Sequence, residues 1–207
     1  RDWSSDVCSS DLRARFENRD ELRYSMRSVH LFAPWVRRIH LVTAGQVPAW
    51  LDPDHEAVHV VDHREILPPD ALPTFSSHAI ETGLHHVEGL AEHFVYLNDD
   101  VLLGRPVEPE TFFSPGGSTA VFLAGEAIGE PDPSSPEYLA AADNNRRLLL
   151  GALGARITDV LAHTPHPHRV SVLAEVERRF AADVHRTART PFRSRADVSV
   201  LSSLAQH

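Results

Sequence analysis

The chain has 207 residues, 42% hydrophobic and 24% charged, with 10 Gly and 15 Pro, which fits one ordinary globular domain and excludes a fibre or a disordered tail. Its 20 cations, every one of them Arg, are outnumbered by 29 acids, and the net charge of -9 argues against the clustered positive field of sequence-independent nucleic-acid binding. No apolar run approaches the roughly 20 residues of a membrane span, and a single cysteine, Cys8, leaves no internal disulfide framework and no Cys-based zinc site.

In chain order, residues 2–12 back-translate without a mismatch into a common short-read sequencing adapter, so residues 1–12 are set apart from the fold. Leu22, Met26 and Val29 recur at helical spacing until Pro34, predicting an amphipathic helix over 20–32 with Arg23, Arg27 and His30 on an adjacent stripe. The β-branched runs 39–43 and 58–62 read as strands. Residues 67–73 read as a rigid turn. Ser76 or Ser77 caps a helix to about His86, and 94–97 is a third strand ending in Asn98-Asp99-Asp100. A further strand is expected over 119–123 and a surface loop over 125–136. A helix from Ser135-Pro136 to about Leu150 follows, then a long one from Ser171 to about Arg186, then a helical pattern through Val198, Leu201 and Leu204. Trp35, Trp50 and Phe75 read as core or loop anchors. Strand and helix alternate, which predicts an α/β domain with a mostly parallel sheet and a ligand beyond the carboxyl ends of the strands.

Three groups of residues carry chemistry. Asn98-Asp99-Asp100 places two carboxylates and an amide where a buried strand leaves the sheet, the hard-oxygen set that Mg²⁺ or Mn²⁺ takes, and also a common way to start a turn. His163-Thr164-Pro165-His166-Pro167-His168 is kept extended by its prolines, so His166 and His168 point to one side. An imidazole there suits a general base or a phosphate donor, and also a nickel or zinc ligand, while the plain alternative is an exposed His-rich loop in a chain with 14 His. Arg193-Ser194-Arg195 offers two guanidiniums matched to phosphate, or a solvated basic loop.

Taken in order, these segments resemble the Stealth family of sugar-1-phosphate transferases. Arg19-Asp20-Glu21-Leu22-Arg23-Tyr24-Ser25-Met26-Arg27-Ser28, Ala33-Pro34-Trp35-Val36-Arg37, Val42-Thr43-Ala44-Gly45-Gln46-Val47-Pro48, Leu72-Pro73-Thr74-Phe75-Ser76-Ser77-His78-Ala79-Ile80-Glu81 and Tyr96-Leu97-Asn98-Asp99-Asp100 are similar to its second conserved region, over about 15–115. Ala162-His163-Thr164-Pro165-His166 and Phe192-Arg193-Ser194 resemble its third, over about 160–207.

The resemblance implies a glycosyltransferase-A-like α/β fold and transfer of a hexose-1-phosphate from a nucleotide-diphospho-sugar donor to a saccharide hydroxyl in capsule or cell-surface polysaccharide synthesis. It further implies work in the cytoplasm, at the inner face of the membrane. Asp99 and Asp100 would hold Mg²⁺ or Mn²⁺. His163, His166 and Arg193 match positions of the active site, with His166 the favoured base. Arg23, Arg27, His78 and Asn98 are assigned to substrate. The family's first region, with a Thr-Trp-Val-Asp-like strand, and its fourth do not occur in these residues, so residues 13–207 are expected to be a catalytic domain incomplete at both ends. Two other readings stand beside this one: an ordinary metal-dependent glycosyltransferase, and an inactive remnant that still binds nucleotide-sugar.

Overall fold

The computed structural model describes residues 19–52, 54–129, 132 and 134–206. The adapter-like residues 1–12, Cys8 among them, and the first residues of the family match lie outside the described residues. Helix α1 (Glu21–Phe32) forms over the expected span and ends where Ala33 N donates to Val29 O, ahead of Pro34. Its buried side chains are Ser25 and Ser28 rather than the apolar stripe. Ser25 Oγ donates to Val101 O at 2.7 Å, and Ser28 Oγ accepts from Leu103 N at 2.9 Å. Small hydroxyls let the helix approach an extended segment closely and satisfy its backbone groups. Helix α1 is thereby tied to the chain immediately after Asn98-Asp99-Asp100.

Strands β1 (Ile39–Thr43) and β2 (Val58–Asp62) pair in parallel, Ile39 opposite Val58 and Thr43 opposite Asp62. Helix α2 (His63–Ile66) follows directly because Asp62 caps it. The Asp62 carboxylate accepts Arg64 N at 2.8 Å while Glu65 Oε1 accepts Asp62 N at 2.7 Å. The rigid turn expected at 67–73 is present as a 3-10 turn, Pro69–Ala71, followed by a cis Leu72-Pro73 bond. Helix α3 (Ser77–Glu81) is shorter than the expected run to His86. Thr82 Oγ1 donates back to Ala79 O at 2.6 Å, and Gly83 passes so close to α2 that a Cβ there would meet Ile66 O at 2.5 Å. The chain continues as a separate 3-10 turn, Leu84–His86.

Strand β3 (His93–Tyr96) pairs antiparallel with β6 (His166–Arg169), setting Phe94 opposite His168 and Tyr96 opposite His166. Strand β4 (Leu123–Ala127) pairs antiparallel with β5 (Asp159–Leu161). It takes in the start of the expected 125–136 loop, while Thr119, expected in a strand over 119–123, makes only an isolated bridge to Phe113. The described strands form three two-stranded sheets, of which only β1–β2 is parallel. The mixed α/β architecture is as expected, but a mostly parallel sheet is not what these pairs make. One physical reason is Pro167, which faces Val95 without an N–H to donate and interrupts the ladder that a central strand needs.

Helix α4 (Glu137–Leu153) has Pro136 at its N-cap and runs past Leu150 until Gly154, at φ 67°, adopts the left-handed conformation that closes a helix. The single helix expected over 171–186 is two, α5 (Val170–Arg179) and α6 (Ala181–Ala188), divided at Phe180 with φ -114° and ψ 33°. The break lets Phe180, Val184, Thr187 and Ala188 all turn inward. Val198, Leu201 and Leu204 are buried as the pattern implies, but Val198 lies in extended chain and the other two in an irregular turn, Val200–Leu204, interrupted at Ser202. These residues join Val61, Ile66, Leu84, Leu149, Leu173 and Val176 in one core. No helix among the described residues is long and apolar enough to cross a membrane.

Candidate functional site

The acidic turn follows β3 and is closed by Val101 N donating to Asn98 O at 3.1 Å. Asp99 and Asp100 project from it, both exposed, and Asn98 is half-buried. His163, 63 residues later, comes back to this turn, its Nε2 lying 3.0 Å from Asp100 Oδ1. Both side chains remain open to solvent, 61% exposed each. Asp100 also lies close enough to α1 for its charge to act on Glu21. Two carboxylates on one exposed turn, with free positions around them, fit a hard divalent cation that keeps water and takes phosphate oxygens.

His166 stands on β6 opposite Tyr96, and its ring stacks on His168 at 6.2 Å and 21°, so the two imidazoles do share a side as expected. Burial lowers the His166 pKa, helped by the charge of His163. This favours a neutral ring with a lone pair available. His168 is only 2% exposed, packs against Phe94 and leaves Nε2 with no hydrogen-bond partner; burial, with His166 second, pushes its pKa down to about 3.

Below the turn, α3 contributes a buried polar group that residue types alone did not single out. The Tyr96 hydroxyl donates to Glu81 Oε1 at 3.3 Å. Burial raises the Glu81 pKa against the opposing charges of His78 and Arg193 and the Tyr96 hydrogen bond. Tyr96 is pushed up in turn, by burial first and then by Glu81. His78 Nδ1 lies 3.4 Å from Asp197 Oδ2, an ion-pair separation without hydrogen-bond geometry, and both side chains are buried. Asp197 Oδ2 also accepts Ser194 N at 2.8 Å. The only signal for Glu81 in the sequence was its place in a motif, because burial of an acid is a tertiary fact.

Arg193 reaches α3, donating from Nη2 to Ser77 Oγ at 2.7 Å. Arg195 does not join it. Its guanidinium turns to the carbonyls of Ser135 and Asp132, so one of the two expected phosphate-matched cations is spent on a loop. The loop that carries Arg193 is held from α4. Asn144 Nδ2 donates to Arg195 O and Asp197 O, and the fully buried Asn145 bonds Ser199 O, Ser202 Oγ and Ser203 Oγ. Phe75 is not a core anchor. It is 71% exposed and stacks at 5.3 Å and 14° on Phe192, itself 66% exposed, while Phe75 N donates to Pro191 O at 2.7 Å. Trp35 does anchor a loop, through Nε1 to Val107 O at 2.8 Å.

The structure therefore brings Asp100 to His163, His166 to Tyr96, and Arg193 and His78 to the surroundings of Glu81. Arg23 and Arg27 lie on α1, the helix tied to the chain just after the acidic turn. Arg23 pairs with Asp20 at 3.8 Å, and among the described residues neither arginine hydrogen-bonds any of these groups.

The chain matches the family model described as Stealth protein CR2, conserved region 2, over residues 15–121, and that described as Stealth protein CR3, conserved region 3, over residues 162–207. It is 50% identical over 202 residues to an exopolysaccharide phosphotransferase of Streptomyces coelicolor, covering 96% of this chain and 21% of the relative. A second one from that organism is 52% identical over 194 residues, 92% of this chain and 33% of its own length. The exopolysaccharide phosphotransferase CpsY of Mycobacterium tuberculosis is 46% identical over 198 residues, 93% of this chain and 37% of its own length. The chain thus spans about a fifth to somewhat over a third of these curated relatives. The groups gathered at the end of β3 come from both matched regions, the acidic turn from one and His163, His166 and Arg193 from the other, and the chain belongs to the Stealth protein family.

Proposed function

We propose that the site transfers a hexose-1-phosphate from a nucleotide-diphospho-sugar to a hydroxyl of a growing exopolysaccharide. The observation that carries this reading is the meeting of Asp100 and His163 at 3.0 Å, which sets an imidazole from the second matched region on an acidic turn fit for a divalent cation. The names of the relatives, exopolysaccharide phosphotransferases, support the reaction class. In this reading the fold is glycosyltransferase-A-like, with the site at the carboxyl end of β3.

The acceptor oxygen attacks the phosphorus that bears the sugar, and the nucleoside monophosphate leaves with the electron pair of the broken P–O bond. His166 receives the acceptor proton, because its half-buried ring is held neutral while His163 is engaged by Asp100. Arg193, anchored on Ser77, holds non-bridging phosphate oxygens. Asp99 and Asp100 would hold Mg²⁺ or Mn²⁺, which supplies charge neutralisation for the diphosphate when bound. Glu81 and Tyr96 form the buried floor that fixes the turn and the arginine relative to one another.

Product analysis with a UDP-sugar and a saccharide acceptor tests the proposal. A phosphodiester product with free UMP is expected. A glycoside with free UDP assigns ordinary glycosyl transfer instead, and donor binding without either product assigns a binding role; each refutes the proposal.

A further inference from the structure

A second cluster lies on the α2, α5 and α6 side of the molecule and plays no part in the reaction above. Glu177, on α5, is approached by three imidazoles. His85 Nε2 lies 2.8 Å from Glu177 Oε2, His86 Nε2 lies 3.3 Å from that same oxygen, and His185 Nε2 on α6 lies 3.3 Å from Glu177 Oε1. His85, His86 and Glu177 each offer one ligand atom, all within 4.8 Å of one another. The His85 side chain is only 4% exposed, whereas that of His86 is 46% exposed.

The hydrogen bond on the far side of His86 decides which of its nitrogens is free. His86 Nδ1 lies 3.2 Å from Ile66 O, and a carbonyl can only accept, so Nδ1 carries the proton. In the neutral ring Nε2 then presents a lone pair toward the lone pairs of a carboxylate oxygen 3.3 Å away. A neutral His86 approaches that oxygen only with a cation between the two atoms, a metal ion in the place of the proton that an imidazolium would carry there. An imidazole that gives its other N–H to a backbone carbonyl is also the usual arrangement of a metal-bound histidine.

Distances agree with the same conclusion. Zinc held at about 2.0–2.2 Å by nitrogen and oxygen places tetrahedral ligands roughly 3.3–3.5 Å apart, so the 3.3 Å separation of His86 Nε2 and Glu177 Oε2 needs almost no rearrangement, whereas His85 Nε2, at 2.8 Å from the same oxygen, must draw back by roughly half an ångström as the ion replaces its hydrogen bond. The cluster borders a cleft of about 360 Å³, lined in part by Glu65, Gly83, His86, Glu177, His185 and Arg189, through which an ion can enter and a fourth ligand can be supplied. Gly83 is needed for this geometry, since the chain reaches the His85-His86 pair only by passing against Ile66 O.

We infer that His85, His86 and Glu177 form a Zn²⁺ site, with His185 holding the second carboxylate oxygen. The ion ties the turn after α3 to α5, and so braces the helix that carries Ser77, His78 and Glu81. It is separate from the Mg²⁺ or Mn²⁺ position at Asp99 and Asp100, and differs from it in donor type, since imidazole nitrogen selects zinc over the harder cations.

The test is titration of the purified chain with Zn²⁺ alone, in competition with a chromophoric chelator, and with Co²⁺ as a spectroscopic stand-in. One tight equivalent of Zn²⁺ is expected, together with the intense visible bands of four-coordinate cobalt and a raised melting temperature. Loss of a group that only orients a ligand commonly weakens metal affinity roughly 10- to 100-fold, and loss of a ligand should cost at least as much. Glu177→Gln and His86→Asn, chosen to conserve size and an exposed position, should each weaken binding by that margin and abolish the thermal shift, with unchanged circular dichroism. His163→Asn should bind like wild type. Undiminished binding in both cluster variants, loss of the tight equivalent in His163→Asn, or no tight equivalent in wild type overturns the assignment.

Discussion

Replacing His168 by Phe should remove a specific, calculable part of the acid sensitivity of the fold. His168 is buried between Phe94 and His166, with no partner for Nε2, and its pKa falls from 6.5 to about 3. Because the folded value lies below the unfolded one, the unfolded chain binds the proton first as pH drops. Stability is therefore full above about pH 6.5 and is lost progressively toward pH 3. With these two values, linkage gives a loss of about 2 kcal/mol between pH 7 and pH 5 from this residue alone, and about 1.4 kcal/mol per further pH unit until the folded ring protonates. Phenylalanine fills the same space beside Phe94, and no hydrogen bond of Nε2 is forfeited. Equilibrium urea unfolding at a series of pH values, for wild type and His168→Phe, isolates the effect. The other histidines with lowered values, His40, His63, His85 and His166, contribute to both proteins and cancel in the difference. Curves that stay parallel from pH 7 to pH 5 would refute the reasoning.

At the proposed active site, His166→Gln should lower turnover by roughly 10² to 10⁴ with donor affinity nearly unchanged, and His163→Gln by less, as read from kcat and donor binding; normal turnover in His166→Gln removes it as the base. Asp99→Asn and Asp100→Asn should each reduce metal-dependent turnover by on the order of a hundredfold or more without altering the melting curve, and full activity in excess chelator would reject the metal role. The stacked Phe75 and Phe192 lie beside Arg193 and should act as a platform for a sugar ring, so Phe75→Ala is expected to raise KM several-fold with little effect on kcat; an unchanged KM rejects this. Asn145→Leu should cost about 1–3 kcal/mol in urea unfolding, because the fully buried amide donates to Ser199 O, Ser202 Oγ and Ser203 Oγ and accepts Ser199 N, and leucine can make none of these bonds.

The sequence alone determined the local elements and the family. The helix from Glu21, both β-branched strands and the strand ahead of Asn98-Asp99-Asp100 were legible because side-chain period and breakers act over a few residues. Motif order over most of the chain identified the family in the same local way. The tertiary structure decided everything that depends on what a segment meets. Gly83 against Ile66 O split the helix expected to reach His86, Phe180 divided α5 from α6, and Pro167 stands in a two-stranded antiparallel pair instead of the parallel sheet that alternation suggested. In the site, residue types marked Asp100, His163, His166 and Arg193, but not which would touch. Asp100 meets His163 across 63 positions, and Arg195 turns away to Ser135. The burial of Glu81 and the convergence of His85, His86 and Glu177 were invisible for the same reason. Burial and convergence come from packing between distant segments, and neither leaves a periodic trace in the chain.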